Sequence, residues 1–123
     1  MLDDWRSCEI EKVDDIADLY ITPFFFGCEA DDPLNSLAFD TRLNPFGRPL
    51  QCVFGSDFGH WDVPEMNGVV HEAYEAVERG LIDEAGFRDF MFTNPVRLFA
   101  GANPSFFDGT VCEADARQLL GAG

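Results

Sequence analysis

Apolar positions along the chain alternate between two kinds of pattern. Val13, Ile16, Ala17 and Tyr20 share one helical face and predict a short helix over Val13–Tyr20. Residues 21–28 (Ile-Thr-Pro-Phe-Phe-Phe-Gly-Cys) form a continuous apolar run, rich in β-branched and aromatic residues. That composition predicts a buried strand, with Pro23 close to its start. An acidic cluster follows (Glu29, Asp31, Asp32), and Pro33 sits one residue inside a predicted helix that carries Leu34, Leu37, Ala38 and Thr41. Asn44-Pro45-Phe46-Gly47 breaks it.

Residues 50–55 (Leu-Gln-Cys-Val-Phe-Gly) predict a second buried strand, and the polar loop of residues 56–62 comes after it. The clearest helical signal runs from Val63 to Arg79. Asp62 and Glu65 are spaced as a capping box, Pro64 falls in the first turn, and Gly80 stops the helix. Met66, Val69, Val70, Ala73, Tyr74 and Val77 make its apolar stripe. Asp83 opens another helix with Phe87, Phe90 and Met91, which Asn94-Pro95 should interrupt before a last turn to Gly101. A short helix is expected over Glu113–Leu120. Helix, strand, helix, strand, helix is the rhythm of βα units with parallel strands, so the fold class is α/β. Two such strands read as buried on both faces and leave two edges to cover, which points to part of something larger, read here as a single domain.

Composition narrows the function classes. Of 123 residues, 46% are hydrophobic, too many for a disordered chain. The net charge of −15 comes from 23 acidic and 8 basic residues, and the seven arginines and one lysine are scattered. Such a surface repels phosphate backbones and anionic lipids, so no nucleic-acid or membrane partner is expected. No apolar stretch approaches the length of a membrane span, and the first residues lack a basic region and an apolar run. A cytoplasmic protein is the expectation. Cys8, Cys28, Cys52 and Cys112 form no CxxC pair, which argues against a structural zinc site and for reduced thiols.

The strongest chemical signal is residues 54–62, Phe-Gly-Ser-Asp-Phe-Gly-His-Trp-Asp. Asp57 stands just past the carboxyl end of a predicted strand, where barrel active sites are built. Residues 92–99 follow downstream (Phe-Thr-Asn-Pro-Val-Arg-Leu-Phe), Asn94 standing 37 positions after Asp57. With these two elements the chain resembles the amidohydrolase superfamily, in particular the amidohydrolase-related branch that includes aminocarboxymuconate-semialdehyde decarboxylase. Members of that branch close a (β/α)8 barrel with an eighth strand ending in a Ser/Thr-Asp motif, followed by an Asn-Pro or Asn-Ala element. Residues 25–32 look like the seventh strand and its loop. The resemblance covers most of residues 14–107 and maps onto about the last third of a family barrel.

The resemblance implies a partial (β/α)8 barrel: the last two βα units plus closing C-terminal helices. It implies metal-dependent hydrolysis or non-oxidative decarboxylation, with zinc foremost among the divalent metals. Asp57 matches the aspartate that binds the metal and takes a proton from its water. His60 and Glu29 are candidates for supporting positions. The other family ligands are an His-x-His pair and two further histidines, whereas this chain has only His60 and His71. The enzyme therefore requires the missing part of the barrel. The rival expectation is a stand-alone, non-catalytic protein that covers its strands by homo-oligomerising. His71 is read as solvated, and Asp62 as a helix cap.

Overall fold

The computed structural model describes residues 4–121. Its order is a 3-10 turn (Arg6–Cys8), α1 (Val13–Tyr20), β1 (Phe26–Glu29), a 3-10 helix (Pro33–Ala38), a 3-10 turn (Pro45–Gly47) and β2 (Cys52–Gly55). After these come α2 (Val69–Glu78), α3 (Glu84–Arg88), a π-helical turn (Asp89–Thr93), α4 (Asn94–Ala102) and α5 (Glu113–Gly121). Helices and a parallel strand pair make it mixed α/β.

β1 and β2 run parallel, with Phe26 opposite Cys52 and Glu29 opposite Gly55. Both strands are shorter than the apolar runs that predict them. Before β1, Pro23 has no N–H to give, and the Gln51 amide donates to the carbonyls of Ile21, Thr22 and Phe24 at 2.9, 2.9 and 3.1 Å. Those carbonyls are satisfied by a side chain, so the ladder starts only where Phe26 N–H reaches Gln51 O at 3.0 Å. Phe24 is left 52% exposed. The expectation of strands buried on both faces needs correcting for β1: its residues alternate partly buried and exposed, with Phe26 and Cys28 inward and Gly27 and Glu29 outward. This is the pattern of a strand covered on one face.

The covered face carries the core. Ala30, Ala38, Cys52, Val69, Ala73 and Phe90 form its buried centre, with Phe26, Phe39, Leu50, Phe54 and Phe87 packed around them. Phe90 meets Phe54 and Phe39 edge-on, at centroid distances of 5.9 and 6.2 Å.

Two helix starts show opposite outcomes. Asp83 caps α3 as expected, its Oδ1 accepting from Gly86 N–H at 2.7 Å. The Asp62/Glu65 capping box does not form, because α2 begins only after Gly68. Pro64 disfavours helical backbone at Val63, and Asn67-Gly68 is a turn-prone pair, so residues 61–68 stay in turns and loop. The stripe is correspondingly narrower: Val69 and Ala73 are buried, whereas Met66 and Val70 are more than half exposed. Gly80, at φ +67°, ends α2 as expected.

Asn94-Pro95 does not interrupt its helix. Pro95 lacks an N–H, and its ring would collide with the carbonyl four residues back. The wider π turn over Asp89–Thr93 absorbs this, and Asn94 N–H reaches back five residues to Asp89 O. Pro95 then occupies the first turn of α4, where no amide is needed.

Candidate metal centre

The carboxyl ends of β1 and β2 lie side by side and carry the site. Glu29 closes β1 opposite Gly55, two residues before Asp57. Gly55 is tied to this arrangement, since a Cβ there would stand 3.1 Å from the Cys28 carbonyl oxygen. Asp57 itself adopts φ +51°, left-handed backbone that Asp tolerates better than most residues. That conformation turns the chain sharply off β2, and His60 folds back onto Asp57, with Nδ1 2.8 Å from Oδ2. Asp57 is largely shielded (29% side-chain exposure), whereas His60 is open (68%).

Asp62 completes the cluster. One ligand atom from each of Asp57, His60 and Asp62 lies within 4.8 Å of the other two. Nitrogen and carboxylate oxygens are the donors zinc takes, and three protein donors plus water is a catalytic coordination pattern. Bonds of about 2.0–2.2 Å need tetrahedral donors about 3.4 Å apart, so an exposed loop would have to draw in by up to about 1.4 Å. The residues fit the ion on those terms. The His60–Asp57 contact also fits a carboxylate that orients an imidazole and fixes which nitrogen is free.

Beside the cluster is a cleft of about 280 Å³ lined by Glu29, Asp31, Ser56, Asp62, Glu65 and Glu72 among others. The Glu29 carboxyl is held above the usual range, first by lost solvation and then by Asp31, Asp57, Asp62 and Asp32. Crowded carboxylates favour a cation and oppose an anion at this end of the sheet.

The other expected residues fall as follows. Asp32 caps the 3-10 helix, accepting from Leu34 N–H at 2.8 Å, so one of the acidic cluster is structural. His71 is exposed on α2, away from the cluster. Asp62, read as a cap, is instead the third member of the group; the signal was its spacing from Asp57 and His60 within one loop. Asn94 was missed as a side chain. It is buried, and its Nδ2 donates to the Cys52 carbonyl at 2.8 Å. The Asn-Pro element is thus fastened to the strand that delivers Asp57.

Compared with family models, with curated proteins and with solved structures, the chain has no match. Among the described residues no helix is long and apolar enough to cross a membrane.

Proposed function

We propose that the chain is the C-terminal part of a metal-dependent, amidohydrolase-like enzyme of the (β/α)8 class, incomplete alone, with hydrolysis or non-oxidative decarboxylation as its chemistry. The supporting observation is the meeting of two sequence elements on one strand: Asp57 leaves the carboxyl end of β2, and Asn94 holds the carbonyl of Cys52 on that same strand. In this reading β1 and β2 are the last two strands of the barrel. Asp57 offers one oxygen as ligand and the other as proton acceptor, while His60 and Glu29 support it. A bound divalent ion, zinc foremost, lowers the pKa of its water to near neutrality. The remaining ligands belong to barrel strands that this chain does not supply.

A second reading, a stand-alone protein that covers its strands with further copies of itself, is favoured by the large exposed area described below.

The test is turnover of amide, lactone and aromatic carboxylate substrates with zinc or manganese. It is run on the chain alone and on the chain co-expressed with a barrel fragment carrying the histidine ligands. We expect none from the chain alone, and turnover by the pair that Asp57→Asn abolishes. Turnover by the chain alone, lost on Asp57→Asn and kept on His60→Ala, would show that it is complete. A folded, zinc-loaded pair without activity would sink the enzymatic reading.

A further inference from the structure

Two of the four cysteines meet in the sheet. Cys28 stands opposite Phe54 and Cys52 opposite Phe26, so they are diagonal neighbours across the parallel pair, and their Sγ atoms lie 3.3 Å apart. All four cysteines are free thiols. The two residues differ in burial. Cys52 is only 3% exposed, whereas Cys28 is only partly buried, and its residue borders a hollow of about 270 Å³ with Gly27, Glu29, Gly55 and Asp57. Cys28 is the less buried of the two residues, so an oxidant entering from solvent meets it before Cys52.

We propose that Cys28 and Cys52 form a peroxide-responsive dithiol, in which Cys28 is oxidised first and Cys52 resolves it to a disulfide. This combination of an accessible reacting thiol and an adjacent resolving one is what reversible thiol oxidation requires. The hydrogen bond between the sulfurs reinforces the difference. It lowers the Cys28 thiol, against opposing burial and the Asp32 charge, and together with burial it raises Cys52.

In the first step the Cys28 thiolate attacks one oxygen of a hydroperoxide. The S–O bond forms as the O–O bond breaks, and the departing alkoxide or hydroxide takes a proton from water. Sulfur loses two electrons and the peroxide gains them. In the second step Cys52 Sγ attacks the Cys28 sulfenic sulfur. The S–S bond forms, the S–O bond breaks, and the hydroxide leaves with the Cys52 proton as water. A disulfide bond of about 2.05 Å requires the sulfurs to close by roughly 1.2 Å. Two four-residue strands, with no further strand in their sheet among the described residues, can accommodate that shift.

The step uses no metal and none of the residues assigned to the metal cluster, so it stands apart from the enzymatic reading. The test is limiting hydrogen peroxide on the native chain, followed by intact mass and peptide mapping. We expect loss of two hydrogens and a Cys28–Cys52 bridge, formed before Cys8 is oxidised. Cys52→Ser should stall at a sulfenic acid on Cys28 that dimedone traps. A Cys8→Ser/Cys112→Ser chain, which leaves the sheet untouched, should still bridge at the full rate. First oxidation at Cys8 or Cys112, or Cys28 sulfenic acid persisting while Cys52 is present, would overturn the proposal.

Discussion

At the scale of single residues, Glu29 reports on the electrostatics of the site. Its carboxyl is held above its ordinary value by lost solvation and by Asp31, Asp57, Asp62 and Asp32. A raised carboxyl binds its proton more tightly in the folded chain than in the unfolded one. Folding stability therefore falls as pH rises through the window from the unfolded value, about 4.3, upward, and the ionised group is a liability at neutral pH. Glu29→Gln should raise the melting temperature at pH 7, and that gain should vanish below about pH 4, where both states carry a neutral group. Melting curves of the two chains across this range check it; a gain independent of pH would place its origin in packing. Asp57 shows how a residue's position can be legible while its setting is not. Its place after an apolar run marks it in the sequence, but its left-handed backbone and the fold-back of His60 depend on the loop's path.

At the scale of elements, the buried face of α2 is the sharpest expectation. Val69 and Ala73 are buried against the core, and Glu75 is on the exposed side. Val69→Asp places an unpaired charge in that core and should cost several kcal/mol, whereas Glu75→Lys should change stability by less than about 0.5 kcal/mol. Urea midpoints at matched slopes measure both, and equal losses would mean that α2 turns another face inward. Val70, on the stripe in the sequence but half exposed in the fold, should fall between them. Helices were legible wherever a local signal acts within one turn: the span of α1, though Val13 and Tyr20 of its predicted face are more than half exposed, the Asp83 cap, the Gly80 stop and the last helix. Signals that depend on distant partners misled. An apolar run does not say where its ladder begins, which here turns on Gln51 and Pro23. Asn94-Pro95 looks like an interruption because the π turn that absorbs it has no local mark. The nearness of Cys28 and Cys52, 24 residues apart, follows only from the register of two parallel strands.

At the scale of the whole molecule, the size of the surface is what the homo-oligomer reading rests on. A compact monomeric protein of this mass exposes about 6,600 Å², yet this chain exposes 8756 Å². The excess of roughly 2,100 Å² exceeds the 800 Å² or so that each partner gives to a standard interface. Loops and an elongated outline enlarge any surface, but they do not make it apolar. Here Phe24, Leu34, Leu43, Trp61, Val70 and Val111 are each more than half exposed. Among the described residues the sheet has two strands, so each strand presents one unpaired edge of backbone N–H and carbonyl groups. Arg117 ties α5 to Asp108 and to Glu113 of its own segment. Apolar area and open edges drive association, while a net charge of −15 opposes indiscriminate aggregation. The stand-alone reading proposed above therefore predicts a closed assembly of defined size for the chain alone, most simply a symmetric dimer. In the enzymatic reading the same surface is taken by the remaining barrel strands, so adding such a barrel fragment should dissociate the homo-oligomer into a one-to-one complex. Light scattering after size exclusion decides this. We expect a mass at least twice 13.8 kDa for the chain alone, and a mass at the single-chain value at every concentration would refute the argument from area and edges alike.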